Sequence, residues 1–342
     1  MERAVPMVPD DPVRLTELTS CGGCAAKWGA ALLGELVAAA RTTGDDGLLV
    51  GLAPSDDAAV VRLTDEVALV TTTDFFPPLV DDPADFGAIA AANACSDIFA
   101  MGADVLVALN VAAFPETLPT RVIQAIFRAA AEVVAEAGGV IAGGHTIRSP
   151  EPIFGLAVQG VVVPGEQFVK AGARPGDALV LSKPLGTGLA LASGDPQLIG
   201  TATDAMRQLN RSAAALLRQH RRSVHAVTDV TGFGLLGHGW EMAERSGAHL
   251  AFDGGSLPLI DGVRHVAESG VRTGGDARNR DYVAGHVVLE TDSSALAAVA
   301  FDPQTSGGLL AAVDPALVEQ LAPAGFAPVG QVHGGTAAVT LR

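Results

Sequence analysis

The chain has 342 residues, 22 basic against 38 acidic, and a net charge of −16. That field repels nucleic acid, and it would repel a nucleotide too unless a divalent cation screens the acids where it binds. Hydrophobic residues make up 49%, aromatics only 4%, and 40 residues are glycine, which predicts two domains with cores of Ala, Val and Leu and glycine spent on turns and close approaches. No apolar run reaches membrane-spanning length and the first residues lack a signal core, so a cytoplasmic protein without a membrane partner is expected. Three cysteines are too few for a disulfide framework, and reduced thiols follow.

In chain order, residues 1–12 hold Pro6, Pro9 and Pro12 among mixed charges and read as a disordered leader. A polar cluster follows, Thr19-Ser20-Cys21-Gly22-Gly23-Cys24-Ala25-Ala26-Lys27. A helix is predicted from Trp28 to Arg41, then strands over 58–63 and 67–73, the second ending at Asp74. Residues 86–101 read as a helix and 105–112 as a strand; 119–137 is a helix stopped by Gly138-Gly139. A short strand over 140–142 runs into a Gly143-Gly144-His145 turn, and 154–163 is a further strand. The domains are expected to divide as a leader with the Gly/Cys segment and first helix (1–40), an N-terminal α/β domain (41–169) and a C-terminal α/β domain (170–342). In the second half, 178–182 and 224–228 read as strands, 201–220 as one helix, and a Gly-rich turn at 232–237 leads into another helix. The fold class is α/β (α+β), because strands and helices alternate in both halves.

Chemistry concentrates in a few places. Cys24 lies three residues before Lys27 on a Gly-rich segment, and a nearby ammonium favours the thiolate. The pair reads as a nucleophile with its cation, as a redox pair with Cys21, or as half a zinc site. Cys95, in an Ala-rich helix, reads as a buried small apolar residue, and His225 and His238 read as structural. Asp57 precedes a strand, Asp74 follows one, Asp97 sits four residues after Asn93 on one helical face, and Asp229 ends a strand. Each alone is an ordinary cap or turn residue; together they could supply the oxygens that Mg²⁺ takes. No P-loop and no dinucleotide fingerprint is present, so a nucleotide would be held in another way.

Read together, these segments resemble the selenophosphate synthetase (selenide, water dikinase) family. The resemblance rests on Cys24-Ala25-Ala26-Lys27, Asp56-Asp57-Ala58-Ala59-Val60, Thr72-Thr73-Asp74-Phe75-Phe76, Asn93-Ala94-Cys95-Ser96-Asp97, Ala142-Gly143-Gly144-His145, Thr228-Asp229-Val230-Thr231-Gly232-Phe233-Gly234 and Asp302-Pro303-Gln304-Thr305-Ser306-Gly307-Gly308, in that order. The last two are shared with the wider aminoimidazole-ribonucleotide synthetase-like superfamily, which keeps a kinase or cyclase of that superfamily, or a non-catalytic ATP-binding relative, as alternatives. The resemblance implies a two-domain fold, usually a homodimer, that converts ATP, selenide and water into selenophosphate, AMP and orthophosphate. It implies Cys24 as the catalytic thiol and Lys27 as its partner, also touching the nucleotide, on a mobile flap. Asp57, Asp97 and Asp229 would hold Mg²⁺, and Ser55, Asp56, Asp74, Gly143, Gly144 and His145 would contact ATP. A selenium-delivery protein is a further partner consistent with it. Two positions depart from the family pattern: Ala26 stands where a second cysteine is frequent, and Ser55 where a basic residue is common.

Overall fold

A computed structural model of the chain describes residues 13–20, 22–23, 30–40, 47–52 and 55–342. Cys21, Cys24, Lys27 and residues 1–12 lie outside the described residues.

Helix α1 (Ala30–Ala40) precedes a six-stranded sheet of β1 (Leu48–Val50), β2 (Ala59–Arg62), β3 (Ala68–Phe76), β4 (Asp104–Phe114), β5 (Val140–Arg148) and β6 (Ile153–Val162). Its spatial order is β1-β2-β3-β6-β4-β5, and β4 with β5 is its parallel pair. Helices α2 (Pro83–Ala100) and α3 (Thr120–Ala137) cover one face.

The second half runs β7 (Ala178–Leu181), α4 (Thr187–Ala192), α5 (Pro196–Arg207), α6 (Arg211–Gln219), β8 (Val224–Asp229), α7 (Gly234–Ser246), β9 (His249–Phe252), α8 (Val263–Glu268), α9 (Asp276–Tyr282), β10 (Val287–Leu289), α10 (Ser294–Phe301), β11 (Leu309–Val313), α11 (Val318–Leu321), β12 (Ala327–His333) and β13 (Ala338–Leu341). Its seven strands are ordered β10-β13-β9-β12-β7-β11-β8.

Helix α2 joins the halves. Asp82 caps it by accepting from the Ala84 and Asp85 N–H groups, and Pro83 suits the first turn, where its missing N–H is not needed. An Ala-rich helix that is apolar almost all round must be buried on most sides. It packs on β3, β6 and α3 below, and on α5 and β8 of the second half. Gly87 permits the close approach to α3, since a Cβ there would stand 2.2 Å from the Ile126 carbonyl oxygen. Phe76, Phe86, Phe114, Phe127 and Phe154 fill the space beneath, with neighbouring ring centroids 5.3 to 6.5 Å apart. Cys95 is buried in α2 and its thiol is pushed up to about 12 by burial and by Asp97.

Three local expectations need correction. Gly143-Gly144-His145 is not a turn: β5 runs unbroken through it, as the exposed edge strand beside β4. Glycine is required at 144, where φ is +149° and a Cβ would meet the Asn110 carbonyl oxygen at 2.3 Å. Strand β3 does not stop at Asp74 but pairs with β6 as far as Phe76. The single helix expected over 201–220 is two, broken at 208–210, where the Asn210 side chain turns inward to buried partners.

Candidate active site

Period-two alternation on β3 puts Thr72, Asp74 and Phe76 on the face toward α2. Helical spacing presents Asn93 and Asp97 to them. The Thr72 hydroxyl donates to Asp97 Oδ2 at 2.5 Å, and Asn93 Nδ2 donates to Asp74 Oδ2 at 2.6 Å. Asp57 arrives from the loop before β2, and Asp229 from the end of β8. Asp57, Asp97 and Asp229 each bring a ligand oxygen to within 4.8 Å of the other two. Burial first, then the neighbouring carboxylates, holds the Asp97 carboxyl well above the usual carboxylate range. Asp57 is raised in the same way, with Lys170 opposing. Such a cluster is short of positive charge. Among the described residues, Asp57 Oδ2 is buried without a hydrogen-bond partner, and the ligand atoms are all carboxylate oxygens, the set preferred by a hard divalent cation. These residues therefore fit Mg²⁺.

Behind the acids lies a polar network that fixes their orientation. Asn210 Nδ2 donates to Ser96 Oγ at 2.9 Å and to the Gly307 carbonyl at 2.8 Å, and Ser96 Oγ donates to Asp229 Oδ2 at 2.6 Å. The Ser306 N–H donates to Asn93 Oδ1 at 2.8 Å, which leaves the Asn93 amide to aim at Asp74. Thr228 Oγ1 donates to Asp57 Oδ1 at 3.0 Å. Asp57 is thus held by Thr228 and Asp229 by Ser96, each from the opposite half, while Asp97 is held by Thr72 of its own half.

The cation paired with the cluster is Lys170, in the segment between β6 and β7. Its Nζ is 2.9 Å from Asp57 Oδ1 and 2.9 Å from Glu241 Oε2. Burial opposes the ammonium charge, but Asp57, Glu241 and Asp56 outweigh it and hold Lys170 well above its ordinary pKa. Burial likewise favours protonation of Glu241, but Lys170 and then His238 hold it well below the carboxylate range. His238 Nδ1 lies 3.2 Å from Glu241 Oε2, so this histidine belongs to the support of the site.

The remaining expected residues are placed as follows. Asp56 accepts the Asp57 N–H at 2.9 Å and the Lys170 N–H at 3.0 Å, so both its oxygens already serve backbone groups. Ser55 Oγ accepts from Arg245 Nη2 at 3.1 Å; a guanidinium from α7 therefore stands at the position where the local sequence offers only a hydroxyl. Gly143, Gly144 and His145 lie on the β5 edge, and among the described residues no hydrogen bond ties them to the acid cluster. Of the arm that carries Cys24 and Lys27, residues 13–20 are tied down by Asp81, which accepts from the Thr16 N–H at 3.0 Å and the Thr16 hydroxyl at 2.6 Å. Gly23 N–H donates to the Pro77 carbonyl at 3.0 Å. Gly22 and Gly23 leave no room for side chains: a Cβ would stand 2.2 Å from the Pro78 oxygen at the first and 2.8 Å from Thr305 Oγ1 at the second. The backbone at Gly23 thus passes beside Thr305, the residue before Ser306.

A family model described as AIR synthase related protein, N-terminal domain, matches residues 55–162, and its C-terminal counterpart matches residues 174–336. The chain is 44% identical to a selenide, water dikinase of Caldanaerobacter subterraneus, over 91% of each chain. It is 47% identical to a selenide, water dikinase of Myxococcus xanthus, covering 89% of this chain and 88% of the relative. The chain belongs to the selenide, water dikinase family. A solved structure of thiamine monophosphate kinase from Aquifex aeolicus superposes with a TM-score of 0.66 at 17% identity, covering 91% of this chain and 96% of the other. That likeness shows the AIR synthase-like fold shared by the selenide, water dikinases and more distant enzymes.

Sequence reasoning missed Lys170, Glu241, Asn210, Thr72 and Arg245. Glu241 and Arg245, four apart on α7, carried a helical signal. Lys170 carried none, because its partners lie 71 residues away at Glu241 and in the loop before β2.

Proposed function

We propose that the cleft between the sheets binds ATP as its magnesium complex and makes selenophosphate from selenide, ATP and water, releasing AMP and orthophosphate. The carrying observation is the convergence of Asp57, Asp97 and Asp229 in a chain 44% and 47% identical to two selenide, water dikinases over about nine-tenths of its length. Asp57, Asp97 and Asp229 would hold Mg²⁺, whose positive charge would screen a triphosphate, and such screening with positioning is most of what phosphoryl transfer asks of a protein. Thr72, Ser96, Thr228 and Lys170 orient the carboxylates, so no reorganisation is needed when the nucleotide arrives. Asp74, aimed by Asn93, faces the same cleft and is assigned to the nucleotide, and Arg245 supplies a cation beside Ser55. Cys24 is assigned the selenium chemistry, with Lys27 stabilising its thiolate. The docking of Gly22 against Pro78 and of Gly23 beside Thr305 supports an arm that reaches the cleft and shields reactive selenium from water.

We assign the β5 edge to a homodimer contact. It exposes Val140 (59%) and Ile147 (54%), with Leu106 (52%) on the adjoining strand, and a bare apolar edge strand invites pairing with a second copy. Light scattering of the purified chain checks it, and a monomer at micromolar concentration rejects it. No helix among the described residues is long and apolar enough to cross a membrane. The activity is tested by phosphorus NMR of ATP incubated with enzyme and selenide under anaerobic conditions. Selenophosphate and AMP should appear together, only with selenide, and Cys24→Ser should abolish both. ATP turnover that ignores selenide and survives Cys24→Ser rejects the assignment.

A further inference from the structure

Lys183 follows β7, is 4% exposed, and has no role in the site as so far described. Its ammonium donates to the Gln208 carbonyl at 2.5 Å and to the Ser306 carbonyl at 2.8 Å. Among the described residues it forms no ion pair. An ammonium buried against carbonyls alone is a costly arrangement for stability, and an apolar side chain of similar length would pack there at less cost. Its value must lie in what it holds.

What it holds is the 305–308 turn. Ser306 has φ +49°, the one non-glycine residue with positive φ among those described, and such a conformation persists only when its surroundings impose it. The Ser306 carbonyl is fixed by Lys183, while its N–H donates to Asn93, which aims at Asp74. One residue on, the Gly307 carbonyl accepts from Asn210, whose amide also donates to Ser96 and, through it, orients Asp229. Gly308 presses the turn onto the lysine itself, since a Cβ there would stand 2.4 Å from the Lys183 nitrogen of the main chain.

We infer that Lys183 is a positioning residue: its ammonium locks the 305–308 turn in the strained form that aims Asn93 at Asp74 and Asn210, through Ser96, at Asp229. The inference rests on the reading of this cleft as the metal–nucleotide site. Burial lowers the Lys183 pKa to about 7, with Asp229 opposing; the amine has enough N–H groups to donate to both carbonyls in either protonation state. A cavity of about 300 Å³ lined by Lys183, Ser182, Gln208 and Asn210 gives a small amine access to the same place.

The test uses the full chain with Lys183→Met and Lys183→Ala. Mn²⁺ binding is followed by electron paramagnetic resonance, and ATP turnover with selenide is followed in parallel. Removing a positive charge near carboxylates should by itself tighten Mn²⁺ binding; loss of positioning should weaken it about tenfold, the size of effect seen when a group that orients a metal ligand is removed. The expected result is that weakening in Lys183→Met, with thermal stability kept or raised and kcat/KM for ATP reduced. In Lys183→Ala, n-propylammonium should restore Mn²⁺ affinity saturably and tetramethylammonium should not. Unchanged or tighter Mn²⁺ binding in Lys183→Met, or no rescue of Lys183→Ala by n-propylammonium, overturns the inference. Should the parent bind Mn²⁺ but make no selenophosphate, the reaction assignment fails while the Mn²⁺ comparison still decides the role of Lys183.

Discussion

The hydroxyl of Ser96 donates to Asp229 at 2.6 Å across 133 positions of sequence, and this bond stitches α2 to the end of β8. It ties an acid of one half to the helix that carries an acid of the other. In Ser96→Ala, Asp229 loses its donor and the Asn210 amide loses an acceptor in a buried place. The expected cost is about 1–3 kcal/mol in urea unfolding, with Mn²⁺ affinity lowered about tenfold or more by titration. A variant that binds Mn²⁺ like the parent would show that α2 and β8 hold their acids independently.

Lys170 is the counter-charge for Asp57 and Glu241, with all three side chains largely buried. Lys170→Met leaves two buried carboxylates facing each other, and unfolding at pH 7 without divalent cation is expected to be easier by about 3–5 kcal/mol. Adding Glu241→Gln to Lys170→Met should recover much of that loss, because the repulsion is then removed. Additive losses in the double-mutant cycle would contradict the coupling.

Asp302 offers a pH test away from the acid cluster. Burial raises its carboxyl to about 7, against the bonds that its Oδ2 accepts from the Leu189 N–H at 3.0 Å and from Gln304 Nε2 at 3.2 Å. Between its unfolded value near 4 and about 7, the native state keeps a proton that the unfolded chain has lost. Stability therefore falls as pH rises through that window, by on the order of 4 kcal/mol from this group. Asp302→Asn should flatten that slope between pH 4 and 7 in chemical unfolding at a series of pH values. An unchanged slope would mean that the carboxyl is not protonated in the folded chain.

Gly23 is held at φ +62° with no room for a Cβ beside Thr305. Gly23→Ala should disturb the arm and leave the acids untouched. Selenide-dependent AMP formation is expected to fall at least about tenfold, given the sensitivity of reaction rate to small misplacements of reacting groups, with Mn²⁺ affinity unchanged. Loss of Mn²⁺ binding in the same variant would place the arm within the metal site.

The parts of the site that could be read from sequence were those carried by local periodicity. Asn93 and Asp97 share a helical face, Asp229 ends an apolar strand, and Asp57 precedes one; those rules follow from backbone geometry alone. What stayed hidden was set by distant partners. The break between α5 and α6 is marked by no glycine or proline, because Asn210 is drawn inward by Ser96 and Gly307, 114 and 97 positions away. The same holds for Lys170, whose flanking residues suggest a linker and nothing more. Gly143-Gly144 read as a turn because paired glycines usually make one, whereas the requirement is the close passage of β5 over the Asn110 backbone.

The central claim is that Asp57, Asp97 and Asp229 act as one divalent-cation site for the nucleotide. Mn²⁺ titration by electron paramagnetic resonance, with a non-hydrolysable ATP analogue present, tests it most directly. Each of Asp57→Asn, Asp97→Asn and Asp229→Asn should weaken Mn²⁺ binding by at least about tenfold, with the folded state retained by circular dichroism. Mn²⁺ affinity equal to that of the parent in all three folded variants would contradict the account.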